Sequence, residues 1–239
     1  MYNIAVILAG GIGARVGGET PKQFLPLADG RSILEHSVDA FEASPCIDEI
    51  AVVMHPDHIS SLQKICRSNH WRKLTKIIPG GAERWESSYN AIKAFTSSSP
   101  LSLLLHDAAR PFVSQRIIEE VCQALETHEA VTVAVPVTDT LYRTENGCVQ
   151  EIPDRKTFMR AQTPQAFHLS TIAEAFQKMA ASISLPLSSP LHGGTERGIG
   201  RSFPTDDVAV LRTYNPGIPV FIVPGEETNK KITYPEDIK

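Results

Sequence analysis

Short apolar runs recur along the first half of the chain and alternate with segments whose apolar residues repeat at helical spacing. The runs are almost continuously apolar, a pattern typical of strands that helices cover on both faces. Strand and helix in regular alternation predict βαβ units and therefore a mainly parallel sheet. The five runs occupy residues 4–8, 50–54, 74–78, 101–105 and 130–135.

Helix start signals stand between these runs. Ser32 and Glu35 have the spacing of a capping box, and the apolar residues that follow supply one buried face. Residue types favoured in the first helical turn mark three further starts, at Pro56 with Asp57, at Glu83 or Arg84, and at Ser114. The pattern predicts an α/β fold, a Rossmann-like, mainly parallel sheet flanked by helices.

The pattern changes after Pro136. Two short strands are predicted at 139–142 and 148–152, on either side of Asn146-Gly147, a strong signal for a two-residue hairpin turn. This hairpin has too few apolar residues to bury a core, so we expect residues 137–158 to project as a β-arm and to pack on another subunit. The remainder predicts a helix at 170–181, a surface loop at 182–204, a helix at 206–211 and a strand at 220–223. We therefore interpret residues 1–239 as a single domain that carries the β-arm.

Charge and cysteine content limit the possible partners. The 239 residues carry a formal net charge of −4, so no overall positive field attracts nucleic acid or an anionic membrane, and we expect neither as a partner. The four cysteines are widely spaced and form no C-x-x-C pair, which fits reduced thiols in a cytoplasm. The first apolar run is too short for a signal peptide or a membrane span, so we expect a soluble cytoplasmic protein.

Residues 8–22 follow the first predicted strand and contain five glycines. Glycines let backbone N–H groups crowd around an anion, and Arg15 and Lys22 add two cations that can neutralise a polyphosphate. A dinucleotide fingerprint would need glycine in place of Val16, and a P-loop would follow its lysine with Ser or Thr. The segment therefore predicts an anion-binding loop of another kind. A glycine-rich turn with two solvated cations is the alternative.

Asp107 stands just beyond the fourth apolar run, at the edge where ligands bind in open α/β sheets. A carboxylate there suits Mg²⁺ or another divalent cation, which takes one or two carboxylates and completes its shell with phosphate oxygens and water. A role in capping the following turn is the alternative. We expect the neighbouring His106 to be structural.

The glycine-rich segment with its Pro-Lys-Gln ending resembles the nucleotide-binding loop of the 2-C-methyl-D-erythritol 4-phosphate cytidylyltransferase family. The resemblance continues in order along nearly the whole chain, at 80–87, 105–111, 136–140, 154–155, 161–167 and 229–233. It implies a nucleotidyltransferase fold with a projecting β-hairpin dimerisation arm. It also implies transfer of CMP from CTP to 2-C-methyl-D-erythritol 4-phosphate in isoprenoid precursor biosynthesis, with release of pyrophosphate.

The same resemblance implies roles for individual residues. The catalytic cations on the triphosphate would be Arg15, Lys22 and Lys231. The nucleotide would be held by Ala9, Gly10, Gly11, Gly13, Gly81, Ala82 and Ser87. The polyol phosphate would be bound by Asp107, Arg110, Thr140, Arg155 and Thr163, with Asp107 also the metal ligand. Thr140 and Arg155 belong to the β-arm, so the resemblance implies a homodimer whose active sites are shared.

Three alternatives remain open. Family members usually carry an acid just before the late Asn-x-Lys-x-Thr segment, where this chain has Thr228, so a ribitol-5-phosphate cytidylyltransferase that makes CDP-ribitol is one alternative. A dinucleotide-dependent oxidoreductase is disfavoured by Val16 and by the loop cations. A catalytically silent nucleotide-binding paralogue is disfavoured because it would have no chemical reason to keep the cations and the carboxylate together.

Overall fold

The computed structural model describes residues 1–11, 20–95, 100–184 and 204–238. Within them the strands are β1 (Tyr2–Ala9), β2 (Glu49–Met54), β3 (Leu74–Pro79), β4 (Leu101–Asp107), β5 (Ala130–Pro136), β6 (Arg143–Glu145), β7 (Cys148–Glu151), β8 (Met159–His168) and β9 (Phe221–Pro224). The α-helices are α1 (Ile33–Glu42), α2 (Ile59–Asn69), α3 (Arg84–Ala94), α4 (Gln115–Ala124), α5 (Leu169–Ser184) and α6 (Asp207–Tyr214). Single 3₁₀ turns lie at Lys22–Phe24, Pro56–His58, Arg155–Thr157 and Pro235–Ile238.

Seven strands form one sheet in the order β3-β2-β1-β4-β8-β5-β9. β1 pairs in parallel with β2 and β4, β2 with β3, and β5 with β9. β8 is antiparallel to both of its neighbours, β4 and β5. The predicted mainly parallel sheet is therefore confirmed.

The apolar runs of β1, β2, β4 and β5 are buried on both faces because helices cover both faces of the sheet. The run at 74–78 is the exception, since β3 is an edge strand that leaves Thr75 and Lys76 exposed. Successive strand residues point to opposite sides, so Ala5 and Ile7 pack with α1, α2 and α4, whereas Ile4 and Val6 pack with α3, α5 and α6. Large buried side chains such as Phe41 stabilise this arrangement by about 1.5–3 kcal/mol each. Among the described residues, no helix combines the length and the apolar character needed to cross a membrane.

The helix starts follow the predicted caps. Ser32 Oγ accepts a hydrogen bond from the Glu35 backbone N–H at 3.3 Å, and a Glu35 carboxylate oxygen accepts one from the Ser32 N–H at 2.8 Å. This reciprocal pair is the predicted capping box. Ser114 caps α4 in the expected way, through a hydrogen bond from the Ile117 N–H. The start predicted at Pro56 is instead a 3₁₀ turn that leads into α2.

β8 is the strand that the apolar pattern does not predict. It buries Gln162, Thr163 and Gln165, and a Pro164 interrupts its sequence. Thr132 of β5 pairs with Gln165 and the next residue, Val133, pairs with Gln162, so Thr163 and Pro164 form a bulge outside the ladder. A bulge accommodates a proline, which has no N–H to donate, and redirects the side chains next to it.

Two predicted boundaries in the second half are wrong. The hairpin turn has the predicted form, since Asn146 and Gly147 both have positive φ, 51° and 78°. Its first strand, however, is β6 at 143–145 rather than 139–142, because a two-residue turn places the strand directly before Asn146, and β7 ends the pairing at Arg143. Residues 182–184 continue α5 instead of opening the loop, and 185–203 lie outside the described residues.

Candidate active site

The cleft that contains Asp107 lies where the strand order reverses. The chain passes from β1 to β2 on one side of β1, and β4 pairs with β1 on the other side. The carboxyl ends of β1 and β4 therefore border a crevice of the kind in which α/β sheets bind ligands. We call this cavity of about 160 Å³ the Asp107 cleft. It is lined by Arg84, Asp107, Arg110, Ala161, Gln162, Thr163, Gln165, Thr205, Asp206 and Lys231.

Asp107 is the most strongly engaged carboxylate of the cleft. Its Oδ2 lies 2.7 Å from Lys231 Nζ, its Oδ1 lies 3.4 Å from Arg84 Nε, and only 8% of the residue is exposed. Burial alone would raise the pKa of Asp107, but the charges of Arg84, Lys231 and Arg110 more than offset it and hold the pKa well below its usual range. Asp107 is therefore an anion at neutral pH, even though it is buried.

Arg84 connects two carboxylates from different parts of the chain. Its Nη2 lies 2.9 Å from Oδ2 of Asp207, whose side chain is 1% exposed at the start of α6. Burial would lower the pKa of Arg84, whereas Asp207 and Asp107 raise it well above its usual range. Arg84 therefore ties α3 to α6 and contacts the cleft carboxylate through the same guanidinium group.

A chain of hydrogen bonds holds the turn after β4. The Asp107 N–H donates to Thr163 Oγ1 at 3.1 Å, and that hydroxyl lies 3.0 Å from His106 Nδ1. His106 Nε2 lies 3.0 Å from the Arg110 carbonyl oxygen. Burial lowers the pKa of His106 to about 4, so the ring is neutral at neutral pH. Its Nδ1 accepts the hydrogen bond from the Thr163 hydroxyl, and its Nε2–H donates to the Arg110 carbonyl oxygen. His106 thus has the structural role expected for it.

Arg110 points its guanidinium group at carbonyl oxygens. Nη1 donates to the Asn229 carbonyl at 2.8 Å and Nη2 to the Ala161 carbonyl at 3.3 Å. Its buried Nε has no hydrogen-bond partner within the described structure. Burial lowers the pKa of Arg110, but an arginine retains its charge. Its charge is therefore available to an anionic ligand.

The segment after β9 is fixed by buried amides. Asn229 Nδ2 donates to Gln162 Oε1 at 3.1 Å and to the Thr163 carbonyl at 2.9 Å. The Ile232 N–H donates to the Ala109 carbonyl at 2.8 Å. Lys22 Nζ donates to the Ile232 carbonyl at 2.7 Å. This bond brings Lys22, the other lysine predicted to be catalytic, close to the segment that carries Lys231.

The second predicted group of residues forms a turn beside the end of β1. The Gly81 N–H donates to Ser87 Oγ at 3.1 Å, and the Ala82 N–H donates to a Glu86 carboxylate oxygen at 2.7 Å. A Cβ on Gly10 would lie 3.1 Å from Ser87 Oγ, so the glycine lets the end of β1 approach this turn closely. Gln23 Nε2 donates to the Ala9 carbonyl at 2.9 Å and holds the strand end from the other side.

The structure brings together many of the predicted site residues. Asp107, Arg110, Thr163 and Lys231 line the Asp107 cleft. Gly13 and Arg15 lie outside the described residues. Gly11 is exposed just beyond β1.

The two predicted β-arm residues do not line the cleft. Thr140 is exposed, and Arg155 donates from Nη1 to the Thr138 carbonyl at 2.6 Å within the β-arm. None of the described residues that line the cleft comes from the β-arm.

Several residues that line the cleft were not predicted as site residues, among them Arg84, Gln165 and Asp206. Asp207, which pairs with Arg84 beside the cleft, was not predicted either. Gln165 bonds through Nε2 to Asp206 at 2.8 Å and accepts from the Asp207 N–H at 3.0 Å, so β8 positions the start of α6. Arg84 and Gln165 stand inside segments that carry the resemblance, which is the signal that could have revealed them. Asp206 and Asp207 have only the signal of a helix start.

The carboxylates of the cleft suit a hard divalent cation. Asp107 and Asp206 line it, and in the described part of the chain no three His, Cys, Asp or Glu side chains gather as a metal cage. Mg²⁺ typically takes one or two carboxylates and completes its shell with phosphate oxygens and water, whereas structural zinc needs four protein ligands. The donor set therefore fits magnesium better than zinc.

Three features together are those of a nucleotidyltransferase. They are the mainly parallel sheet, the turn at Gly81–Ser87 beside the end of β1, and the cation-rich cleft around the ionised Asp107. Residues 3–186 match the family described as IspD, 2-C-methyl-D-erythritol 4-phosphate cytidylyltransferase. The chain belongs to this family.

Individual relatives agree with this assignment. The 2-C-methyl-D-erythritol 4-phosphate cytidylyltransferase of Thermobifida fusca is 41% identical over 240 residues, with 98% of this chain and 89% of the relative covered. The solved structure of 4-diphosphocytidyl-2C-methyl-D-erythritol synthase from Anaerococcus prevotii has a TM-score of 0.79 at 27% identity, with 99% of this chain and 92% of that chain covered.

A relative whose name gives a different activity also matches. The bifunctional ribulose 5-phosphate reductase/CDP-ribitol pyrophosphorylase of Haemophilus influenzae is 35% identical over 239 residues, with 99% of this chain and 46% of that protein covered. This chain therefore spans about half of that relative.

Proposed function

We propose that the protein transfers CMP from CTP to 2-C-methyl-D-erythritol 4-phosphate and releases pyrophosphate. The observation that carries this proposal is the ionised Asp107, held between Lys231 and Arg84 in the Asp107 cleft of a chain from this family. Such a cleft offers both a metal-binding carboxylate and cations for phosphate groups. The remaining parts of the reaction follow from its chemistry.

The reaction needs no general base on the protein. The nucleophile is an oxygen of the acceptor's own phosphate, which is already an anion at neutral pH. The difficulty is to bring two anions together and to stabilise the charge that develops on the leaving pyrophosphate. The buried, neutral His106 fits this view, because its ring nitrogens are engaged with Thr163 and the Arg110 carbonyl.

Three cations would hold the triphosphate: Lys22, Lys231 and Arg15. Lys231 is 43% exposed in its side chain and pairs with Asp107, so it can exchange this carboxylate for a phosphate oxygen without crossing a buried region. Asp107 would then bind the divalent cation. A bound Mg²⁺ would neutralise part of the charge of the triphosphate.

The nucleotide would lie along the joint edge of two segments that contact each other, the turn with Gly81, Ala82 and Ser87 and the end of β1 at Ala9–Gly11. Main-chain N–H and C=O groups can match a base edge without charged side chains. Gly10 supports this assignment because a Cβ there would lie only 3.1 Å from Ser87 Oγ, so the glycine allows the two segments to present one continuous main-chain surface.

The acceptor phosphate would be bound by Arg110 and Thr163 of the cleft and by Thr140 and Arg155 of the β-arm. Arg110 supports the proposal because its buried Nε has no partner within the described structure. The β-arm would reach these groups in a second subunit. Its strands are exposed, and it leaves Tyr142 at 58% and Ile152 at 64% exposure, as expected for a segment that a homodimer covers.

The alternative acceptor is ribitol 5-phosphate. Thr228 stands where an acid is usual, and the name of the relative from Haemophilus influenzae includes a CDP-ribitol pyrophosphorylase activity. We favour the methylerythritol acceptor because the family match and the more similar relative carry that name. We also place the enzyme in the cytoplasm, since its four cysteines are free thiols.

The decisive experiment measures pyrophosphate release with CTP and MgCl₂ over methylerythritol phosphate, ribitol 5-phosphate and a sugar 1-phosphate. We expect turnover with the first, and loss of turnover when EDTA removes the metal. Preference for ribitol 5-phosphate would establish the alternative. Turnover with the sugar 1-phosphate alone would refute both.

The shared site is tested by mixing two inactive variants. Lys22→Ala removes a cation proposed to hold the triphosphate, and Arg155→Ala removes a cation of the β-arm. If sites are shared, a mixed dimer contains one site with both residues intact, and activity returns in part. Absence of any rescue in mixtures shown to exchange subunits would contradict the shared site.

A further inference from the structure

Two cysteines face one cavity at the opposite edge of the sheet from the Asp107 cleft. Cys46 lies just before β2, and Cys122 lies in the last turn of α4. Both line a cavity of about 340 Å³ that also includes Asn3 and Asp48, residues at the amino ends of β1 and β2. Neither thiol has a part in the proposed reaction.

The sulfur atoms of Cys46 and Cys122 both lie beside the turn of α4 that runs from Ile118 to Cys122. Cys122 Sγ is 3.8 Å from the Cys46 carbonyl oxygen, and Cys46 Sγ is 3.8 Å from the Ile118 carbonyl oxygen. A carbonyl oxygen lies about 2.4 Å from its own Cα, so Cys122 Sγ is within about 6 Å of the Cys46 Cα. The two thiols also interact directly through their side chains, so the sulfur atoms already face each other. A disulfide places its Cα atoms about 4.4–6.8 Å apart, and these two side chains would have to rotate towards each other to form one.

The two thiols differ in reactivity. A hydrogen bond with Cys122 lowers the pKa of Cys46, and Ser44, whose Oγ lies 3.2 Å from Cys46 Sγ, lowers it further. The same pairing, with burial, raises the pKa of Cys122. Cys46 is half-buried and Cys122 is buried, so the more acidic thiol is also the more accessible one. Reactive cysteines combine these two properties, and a redox pair adds a second thiol within reach.

We propose that Cys46 and Cys122 form a reversible disulfide when the protein meets hydrogen peroxide. The Cys46 thiolate attacks one oxygen of the peroxide, the O–O bond breaks, and a sulfenic acid forms with release of hydroxide. The Cys122 thiol then attacks the sulfenic sulfur and displaces its hydroxyl group as water. In sum, two thiols are oxidised and one peroxide is reduced to two water molecules.

The cavity itself supports access by the oxidant. Hydrogen peroxide is little larger than water, and a cavity of about 340 Å³ holds several such molecules. No third ligand joins the two thiols among the described residues, so the pair does not form a metal cage. The bridge would connect the α1–β2 junction to α4 and would leave the Asp107 cleft intact.

The test uses the full chain with Cys66→Ser and Cys148→Ser, which removes the half-buried Cys66 and the exposed thiol of the β-arm. Peroxide is added, and free thiols are counted with a chromogenic disulfide reagent in denaturant. We expect the count to fall from two to about zero, with a mass loss of two hydrogen atoms. After tryptic digestion under non-reducing conditions, peptides 32–64 and 117–143 should be linked, and dithiothreitol should separate them.

The matched control adds Cys122→Ser to this background. Cys46 should then stop at the sulfenic acid, which dimedone traps, and no intramolecular link should form. Circular dichroism confirms that both variants are folded. Two free thiols after peroxide treatment, over-oxidation of Cys46 without a link, or bridging only between two molecules would each overturn the proposal.

Discussion

The ion pair between Arg84 and Asp207 supports a prediction about stability that can be tested without substrate. Asp207 has 1% of its side chain exposed, and its Oδ2 lies 2.9 Å from Arg84 Nη2. Its Oδ1 has no hydrogen-bond partner in the described structure. Replacing Arg84 with Met would leave this carboxylate buried without its counter-charge, whereas Asp107 would keep Lys231.

The expected loss follows from the burial of that pair. Removing one partner of a buried ion pair costs about 3–5 kcal/mol, and the 29% exposure of Arg84 places this case near the lower end, at about 3 kcal/mol. For a chain of this length each kcal/mol lowers the melting temperature by about 2–4 °C, so we expect a fall of about 6–12 °C. Urea unfolding and differential scanning calorimetry measure the two quantities.

A double-mutant cycle separates the pair from general damage. Arg84→Met with Asp207→Asn should cost less than the sum of the single substitutions, by at least about 1 kcal/mol. The matched control is Arg143→Met, which removes a pair on the β-arm that is 61% and 56% exposed and should cost at most about 0.5–1 kcal/mol. A loss below about 1 kcal/mol for Arg84→Met, or additive effects in the cycle, would refute the reasoning.

Three further predictions concern the site. Lys231→Met should lower kcat about 100-fold, which is the scale of one preorganised charge. Lys230→Met removes only a weak contact to Asp237 at 3.9 Å and should change kcat less than twofold. Steady-state assays measure both, and equal effects would contradict the role of Lys231 in catalysis. Burial lowers the pKa of His106 to about 4 from 6.5, so as the pH falls from 6.5 to 4 the unfolded chain takes up the proton first, and the free energy of unfolding should drop by up to about 3 kcal/mol. Urea unfolding of His106→Gln should show a weaker dependence of this free energy on pH. An unchanged pH dependence would exclude His106 as its source. Gly81→Ala would place a Cβ 2.2 Å from Glu86 Cβ and should raise KM for CTP at least about tenfold. The control Gly217→Ala, whose Cβ would have nothing within 4 Å, should leave KM unchanged. Equal KM values for the two variants would show that the turn at Gly81 does not hold the nucleotide.

The sheet was predictable wherever burial is apolar. The strands β1, β2, β4 and β5 come from almost continuous apolar runs, and the caps at Ser32 and Ser114 stand where the sequence places them. β8 was not predictable in this way because it buries amide and hydroxyl groups, whose cost is offset by partners that only the fold supplies. Gln165, for example, bonds to Asp206 and Asp207, which are 41 and 42 positions away.

The candidate site was predictable where local motifs carry it. Asp107 and Lys231 stand in short segments that carry the resemblance, so the sequence identifies each of them without showing that they touch at 2.7 Å. Arg84 and Asp207 form their pair across 123 positions, and nothing local in either segment indicates the other. The shift of β6 by a few residues has a simpler cause, since a two-residue turn sets the register of the hairpin.

The contact between Lys22 and the Ile232 carbonyl joins residues 210 positions apart, near the two ends of the chain. During synthesis on the ribosome, residues of β1 to β4 leave the exit tunnel long before residue 232 exists. The Asp107 cleft can therefore be completed only after the segment that follows β9 has been made, when Asn229 bonds to β8 and the Ile232 N–H bonds to the Ala109 carbonyl. A chain that stops before residue 229 has Lys22 and Asp107 but lacks Lys231, so it cannot form the ion pair of the cleft.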